Sequence, residues 1–187
     1  MISQDHPFDF LKTLFQGEAI FSFSRYVYTP DSLFDTREKF QIAGKEITKE
    51  RINAEIASLR QDQELAIHSN VQINGRNYHI PMIDFSTEGD VASGLYDRLG
   101  QYLPRKVIMN MALYASGRSF HGYSTTLLGQ REWIDFMGRL LLVNPRNQPD
   151  IVDSRWVGHR LVGGFGSLRW SNSSGQYCGL PIRVRFP

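Results

Sequence analysis

The sequence predicts an α+β fold, with mixed or antiparallel sheets and flanking helices. Three observations carry this reading. Two strand-like runs, residues 65–73 and 76–85, flank Asn74-Gly75, the preferred dipeptide of a two-residue type I′ hairpin. Residues 91–102 and 130–143 repeat apolar side chains at helical spacing. The remaining strand-like runs follow one another through short Gly- and Pro-bearing turns, which argues against a doubly wound parallel sheet.

Taken in order, Phe8, Leu11, Leu14 and Phe15 give residues 7–15 the spacing of a short amphipathic helix. Residues 19–28 form an aromatic-rich strand, ended by Thr29-Pro30-Asp31, and residues 32–44 leave helix and strand open. Thr48 caps a helix whose apolar face is Ile52, Ile56 and Leu59. In the hairpin, Ile67 faces Met82, Ser69 faces Ile80 and Val71 faces Tyr78. Asp84 and Ser86 continue that face, where a carboxylate needs a cation or hydrogen bonds. Val91, Leu95, Leu99 and Tyr102 share one side of the next helix, which Pro104 ends. Residues 107–114 read as a buried strand and residues 120–125 as its neighbour. The helix at 130–143 turns Trp133, Phe136, Met137, Leu140 and Leu141 inward, and 144–149 is a loop. A short helix at 153–162 places Asp153, Trp156 and Arg160 on one side and stops at Gly163-Gly164. Residues 166–171 form a strand, 172–176 a turn and 181–186 a last strand. No repeat or linker interrupts the chain, so 1–187 is read as a single domain, with room for two lobes at roughly 1–105 and 106–187.

A length of 187 residues with 41% hydrophobic content suffices for one packed core. No apolar run reaches the 18 residues of a membrane span. The N-terminal MISQDHPFDFLK lacks the basic, apolar and small-residue regions of a secretory signal. Cys178 is the one cysteine, which excludes an internal disulfide and a multi-cysteine zinc site, so a cytoplasmic location is expected. Charge is lopsided: residues 1–100 carry 10 Lys and Arg against 15 Asp and Glu, and residues 101–187 carry 11 against 4. Lys106 is the one lysine of the second half. Arginine's planar fork suits phosphate, so this half points to nucleotide or nucleic acid. A solvated face with scattered ion pairs is the plain alternative.

The most distinctive stretch is Ser116-Gly117-Arg118-Ser119-Phe120-His121-Gly122-Tyr123. On a strand, Ser119 and His121 project from one face and Phe120 from the other. Gly117 and Gly122 leave room for another molecule beside the backbone. Arg118, Ser119 and His121 offer donors to a phosphate.

Three pieces then occur in sequence: Ile83-Asp84-Phe85-Ser86, Ser119-Phe120-His121, and Ile151-Val152-Asp153-Ser154-Arg155-Trp156, with Arg160 and Leu168-Arg169-Trp170-Ser171 downstream. Across about residues 64–171 this series resembles the archaeo-eukaryotic primase superfamily. Its motifs are a paired acid, then SxH, then an acid after an apolar pair, then a basic position. The resemblance implies a primase-polymerase catalytic core with an RRM-like half. It implies a metal-dependent nucleotidyltransferase that uses nucleoside triphosphates to synthesise or extend a primer. Asp84 and Asp153 would hold Mg²⁺ or Mn²⁺, and Asp84, Asp153 and His121 would be catalytic. Ser119, His121 and Arg169 would contact the nucleotide, joined by Arg118 of the Gly-bracketed stretch and by Arg160. The implied partners are nucleoside triphosphates, a DNA or RNA template, and a helicase or other replication or defence protein, with no membrane.

The chain departs from the pattern at Ser86, where the family has its second acid. Glu88 or Asp90 would substitute only if the following turn folds back. Asp150 is a rival to Asp153, although Asp153 matches the apolar-pair context better. The alternative is a catalytically inactive nucleotide- or nucleic-acid-binding module on the same fold. Each residue also has an ordinary role to set beside these. His121 can bond within a turn, Asp153 can cap a helix, and Arg160 and Arg169 can form surface ion pairs. His68, His79 and His159 show no ligand-like spacing.

Overall fold

The computed structural model describes residues 1–29, 36–87, 94–177 and 179–184. The expectations for Pro30-Asp31, Glu88, Asp90, Val91, Cys178 and the end of the last strand lie outside these residues.

The elements are α1 (Pro7–Leu11), β1 (Ile20–Val27), β2 (Glu38–Ala43), α2 (Lys49–Ala57), β3 (Gln63–Ile73), β4 (Arg76–His79), β5 (Met82–Asp84), α3 (Leu95–Tyr102), α4 (Arg105–Met109), β6 (Met111–Ala115), β7 (Phe120–Ser124), β8 (Leu128–Gly129), α5 (Gln130–Val143), α6 (Ser154–Gly163), β9 (Ser167–Arg169) and β10 (Ile182–Arg183). The fold is α+β, with two antiparallel sheets. The first runs β2-β1-β3-β4-β8, with β9 also against β3; the second runs β10-β6-β7-β5. Each sheet takes strands from both halves of the sequence, so a division near residue 105 does not separate them.

Local chemistry sets the boundaries. Thr48 Oγ1 accepts the Arg51 N–H at 3.1 Å and starts α2. Glu132 reaches back to the Gly129 N–H at 3.0 Å at the start of α5. Gly164, at φ 75°, ends α6 in the left-handed conformation that glycine tolerates. Asn74 and Gly75 both have positive φ, as the tight hairpin turn demands.

Four expectations are corrected. The hairpin keeps its register from the turn to Ile80, whose N–H donates to the Ser69 carbonyl at 2.8 Å. Pro81 then has no N–H to continue the ladder. The chain crosses to the second sheet, where β5 pairs with β7. Ile67 therefore faces Phe23 and Leu168, not Met82. Residues 107–114 are not one strand either. Val107, Ile108 and Met109 complete α4, and Asn110, whose Nδ2 donates to the Lys106 carbonyl at 2.9 Å, turns the chain into β6. Helix α1 stops at Leu11, four residues early, because the Lys12 N–H closes its last turn and a tight turn follows. In α5, Leu141 is 42% exposed and Val143 takes the buried place, since a 3.6-residue period carries the stripe from Leu140 to Val143.

The second sheet is apolar on both faces. Met82, Ala112, Tyr114 and Tyr123 join Phe21, Phe23, Leu65, Ile67 and Trp170 in one core. Ile83, Phe85, Leu113 and Phe120 join Leu99, Trp133, Phe136 and Leu140 in the other. Alternation along β5 and β7 puts Asp84 and His121 on the Met82 and Tyr123 side.

Two buried histidines stay neutral in this interior. His6 bonds to the Trp170 carbonyl at 2.9 Å, and burial pushes it down to about 4. His68 bonds to Ser24 Oγ at 2.8 Å and is pushed down to about 3, first by burial and then by Arg37, Lys39 and Arg160. Below pH 6.5 the unfolded chain takes up protons that these folded-state imidazoles refuse, so stability falls as pH falls toward 4. In urea titrations the unfolding free energy should drop by about 1.4 kcal/mol per pH unit for each of the two. His68→Gln should remove one histidine's share of that slope; an unchanged slope would contradict this account.

Candidate active site

Three distant motifs meet through backbone pairing. Asp84, the last residue of β5, stands opposite His121 in the β5–β7 ladder. His121 Nε2 lies 3.7 Å from Asp84 Oδ1. Just beyond, Phe85 forms an antiparallel bridge with Val152. The Asp153 N–H donates to the Asp84 carbonyl at 2.9 Å, and the Ser86 N–H donates to the Ile151 carbonyl at 3.0 Å. Asn144, just after α5, holds this segment from its other side. Its Oδ1 accepts the Ile151 and Val152 N–H groups at 2.9 and 2.8 Å, and its Nδ2 donates to the Val152 carbonyl at 3.0 Å. Sequence reading missed Asn144. Its one local signal is an Asn-Pro pair at a helix end, which ordinarily marks a turn.

The electrostatics follow from this packing. The Asp84 side chain keeps 26% of its surface open. Burial still pushes its carboxyl up to about 8, and the neighbouring Asp153 adds to the rise against the opposing pull of Arg169 and Arg160. His121 is pushed down to about 3 by burial, with Arg169 acting in the same direction. Its Nδ1 is buried without a hydrogen-bond partner among the described residues. A buried polar atom left unmatched costs about 1–3 kcal/mol. An unmatched imidazole nitrogen beside a carboxyl held far from its ordinary value makes this pair the candidate for contact with a ligand.

Asp153 serves two purposes. Its Oδ1 accepts the Trp156 N–H at 2.9 Å and caps α6, while its carboxylate acts on Asp84. Two carboxylates suit a hard divalent cation such as Mg²⁺ or Mn²⁺, which prefers oxygen ligands. Among the described residues, no group of three His, Cys, Asp or Glu is placed to hold a metal ion. Ser86 adds no charge, and its hydroxyl donates to the Asp150 carbonyl at 3.0 Å. Asp150, the rival acid, is exposed and accepts the Ser154 hydroxyl at 2.9 Å. The residues present fit one cation held by a pair of acids.

The candidate nucleotide-binding residues divide. Arg169 is only 4% exposed, so it is no surface ion pair. Its guanidinium donates to the carbonyls of Ser171, Ser116 and Gly179 and lies 4.0 Å from the Tyr177 ring centroid. It ties the 116–119 turn to β9 and the C-terminal segment while its charge reaches Asp84 and His121. Arg160, on α6 with its guanidinium 5.6 Å from the Phe165 ring centroid, is the other cation acting on Asp84. Arg118 is exposed at the tip of the turn. Ser119 is half-buried beside it, and its carbonyl accepts from the Ser116 N–H and Oγ at 2.9 and 3.2 Å. Gly117 adopts φ 131°, which favours glycine. Gly122 does not open the backbone to a ligand as expected. A Cβ there would lie 3.2 Å from the Phe85 ring and 3.4 Å from Ile83, so it serves close packing beneath the site. A cleft of about 470 Å³ lies elsewhere, lined by Asp5, His6, Asp9, Tyr114 and Arg183 among others, and includes none of Asp84, His121 and Asp153.

Arg169→Lys should lower the unfolding free energy by roughly 2 kcal/mol, because a single ammonium cannot match the fork and leaves buried carbonyls without donors. Arg118→Lys, at the exposed tip, should stay within about 0.5 kcal/mol of the parent. Equal stability of the two variants in urea would contradict the assigned role of Arg169.

Comparison with protein families gives a match to archaeo-eukaryotic primase 1D-like proteins over residues 43–182, a range that contains Asp84, His121, Asp153, Arg160 and Arg169. No curated protein and no solved structure matches the chain. The matched range covers most of the chain, both acids and the Ser-x-His stretch fall within it, and the chain belongs to the archaeo-eukaryotic primase 1D-like family.

Proposed function

We propose that this chain is a metal-dependent nucleotidyltransferase of the primase and polymerase kind, using nucleoside triphosphates to synthesise or extend a primer on a DNA or RNA template. The observation that supports it most is the meeting of Asp84, His121 and Asp153, drawn from three separate motifs, through backbone hydrogen bonds. Phosphoryl transfer asks a protein for positioning and charge neutralisation more than for covalent chemistry. Asp84 and Asp153 are the residues that would hold Mg²⁺ or Mn²⁺. Bound there, the cation would supply charge neutralisation for the phosphates and acidify the attacking hydroxyl. His121, kept neutral by burial, has one ring N–H that would donate to a phosphate oxygen. Arg169 contributes its field from behind, since its N–H groups are committed to carbonyls. Arg160 adds positive potential on the α6 side, and Arg118 and Ser119 complete the nucleotide-binding set.

A second reading, a nucleotide- or nucleic-acid-binding module without catalysis, is favoured by Ser86, which leaves the first acidic motif with one carboxylate, together with the Arg-rich second half. Incorporation of labelled nucleotide by the purified chain, with Mn²⁺ or with EDTA, separates the two. The nucleotidyltransferase reading expects incorporation in Mn²⁺ and none in EDTA. It also expects a loss of more than about 100-fold in Asp84→Asn, beyond what removing an outer-shell partner costs. Triphosphate binding without incorporation selects the second reading, and absence of both would contradict the two together.

A further inference from the structure

The layer beneath Asp84 and His121 holds two polar side chains that the proposed reaction does not use, Tyr123 and Trp170. Tyr123 follows His121 by two positions on β7, so the two rings share one face of the second sheet. They meet edge-on, with centroids 6.3 Å apart and planes at 78°. Tyr123 and Trp170 are both 0% exposed. The Tyr123 hydroxyl feels Arg169 and Asp84, which are charges of the site itself, and the Trp170 side chain acts on it as a hydrogen-bond donor. Burial pushes the phenol well above its ordinary range, so the hydroxyl keeps its proton.

The Trp170 contact falls short of full hydrogen-bond geometry. Among the described residues, His121 Nδ1, the Tyr123 hydroxyl and Trp170 Nε1 are all buried without a partner that meets it. Three unmatched polar atoms in one buried layer call for one explanation. Their chemistry orders them. An indole N–H only donates, a hydroxyl accepts and donates, and the bare nitrogen of a neutral imidazole only accepts. With Trp170 at the head, the Tyr123 oxygen accepts the indole N–H, and the hydroxyl proton is left for His121 Nδ1. The ring's single proton then sits on Nε2. That nitrogen faces the site, 3.7 Å from Asp84 Oδ1. The opposite tautomer would aim a second donor at the hydroxyl oxygen and leave the hydroxyl proton buried without an acceptor, which is the costly arrangement.

We propose that Tyr123 is the positioning residue of His121: its hydroxyl, oriented by Trp170, donates to Nδ1 and holds the ring proton on Nε2, where it is available to a phosphate oxygen. The inference rests on the nucleotidyltransferase reading for the phosphate alone; the tautomer is a property of the free chain.

The test is long-range ¹H–¹⁵N correlation NMR of the ¹⁵N-labelled full chain without metal, which distinguishes the two neutral tautomers of each histidine. The His121 signals are those lost in His121→Gln. At neutral pH the parent should hold His121 as the Nε2–H tautomer. Tyr123→Phe should lower the ratio of Nε2–H to Nδ1–H roughly fivefold, the shift that one ordinary hydrogen bond supports. Tyr114→Phe removes a hydroxyl from the same core, on a ring 5.6 Å from that of Tyr123, and should leave the ratio unchanged. Affinity for a fluorescent nucleoside triphosphate with Mg²⁺ should fall by the same factor in Tyr123→Phe and keep the parent value in Tyr114→Phe. A parent in the Nδ1–H form, a ratio that Tyr123→Phe does not move, or an equal fall in Tyr114→Phe would overturn the proposal. A parent in the Nε2–H form whose ratio falls in Tyr123→Phe, with no triphosphate binding at all, would support the positioning role and count against the nucleotidyltransferase reading alone.

Discussion

The hydrogen bond from the Asp153 N–H to the Asp84 carbonyl is the contact on which the site depends. Two carboxylates brought close together repel, and burial raises the free energy of a charged one further. Side chains alone would relieve that by turning apart. Here the backbone decides the matter, because the Phe85–Val152 bridge and the Ser86 and Asp153 hydrogen bonds fix both segments. Asn144 closes the other side of residues 151–152. Burial first, and the neighbouring Asp153 second, push the Asp84 carboxyl up to about 8.

The fold carries the first acid to that contact by a single device. Pro81 ends the β3–β4 ladder, and its carbonyl accepts the Ser124 N–H at 3.0 Å. The chain is thus handed from one sheet to the other just before Asp84, which then lands opposite His121. Arg169 links the same two regions from the far side: it sits on β9 in the first sheet and donates to Ser116 at the end of the β6–β7 hairpin. Site and scaffold therefore share their fastenings, and the charge of Arg169 acts on Asp84 and His121 from a fixed position.

Much of this was legible in the sequence where the signal is local. Asn74-Gly75 announces its turn, Thr48 its cap, and the period of residues 130–143 its helix, because each rests on neighbours along the chain. Asp153 reads equally well as a cap and as a site acid; the structure shows the cap and places its charge where it acts on Asp84. The readings that failed depend on tertiary context. The hairpin face was carried past Pro81 because alternation continues smoothly there, while the missing N–H redirects the strand. The run at 107–114 is apolar throughout, and a short apolar run does not distinguish a helix from a strand. Gly122 looked open but lies against Phe85 and Ile83. Burial of Arg169 is invisible in sequence, since its partners are carbonyls 2, 10 and 53 positions away.

The most direct measurement is a crystal structure grown with Mn²⁺ and a non-hydrolysable nucleoside triphosphate, read by the anomalous signal of the metal. The account predicts one manganese bridging Asp84 and Asp153, with a phosphate oxygen at the His121 ring. Manganese and nucleotide bound elsewhere, as in the cleft of Asp5, Asp9 and Arg183, with Asp84 and His121 untouched, would contradict it.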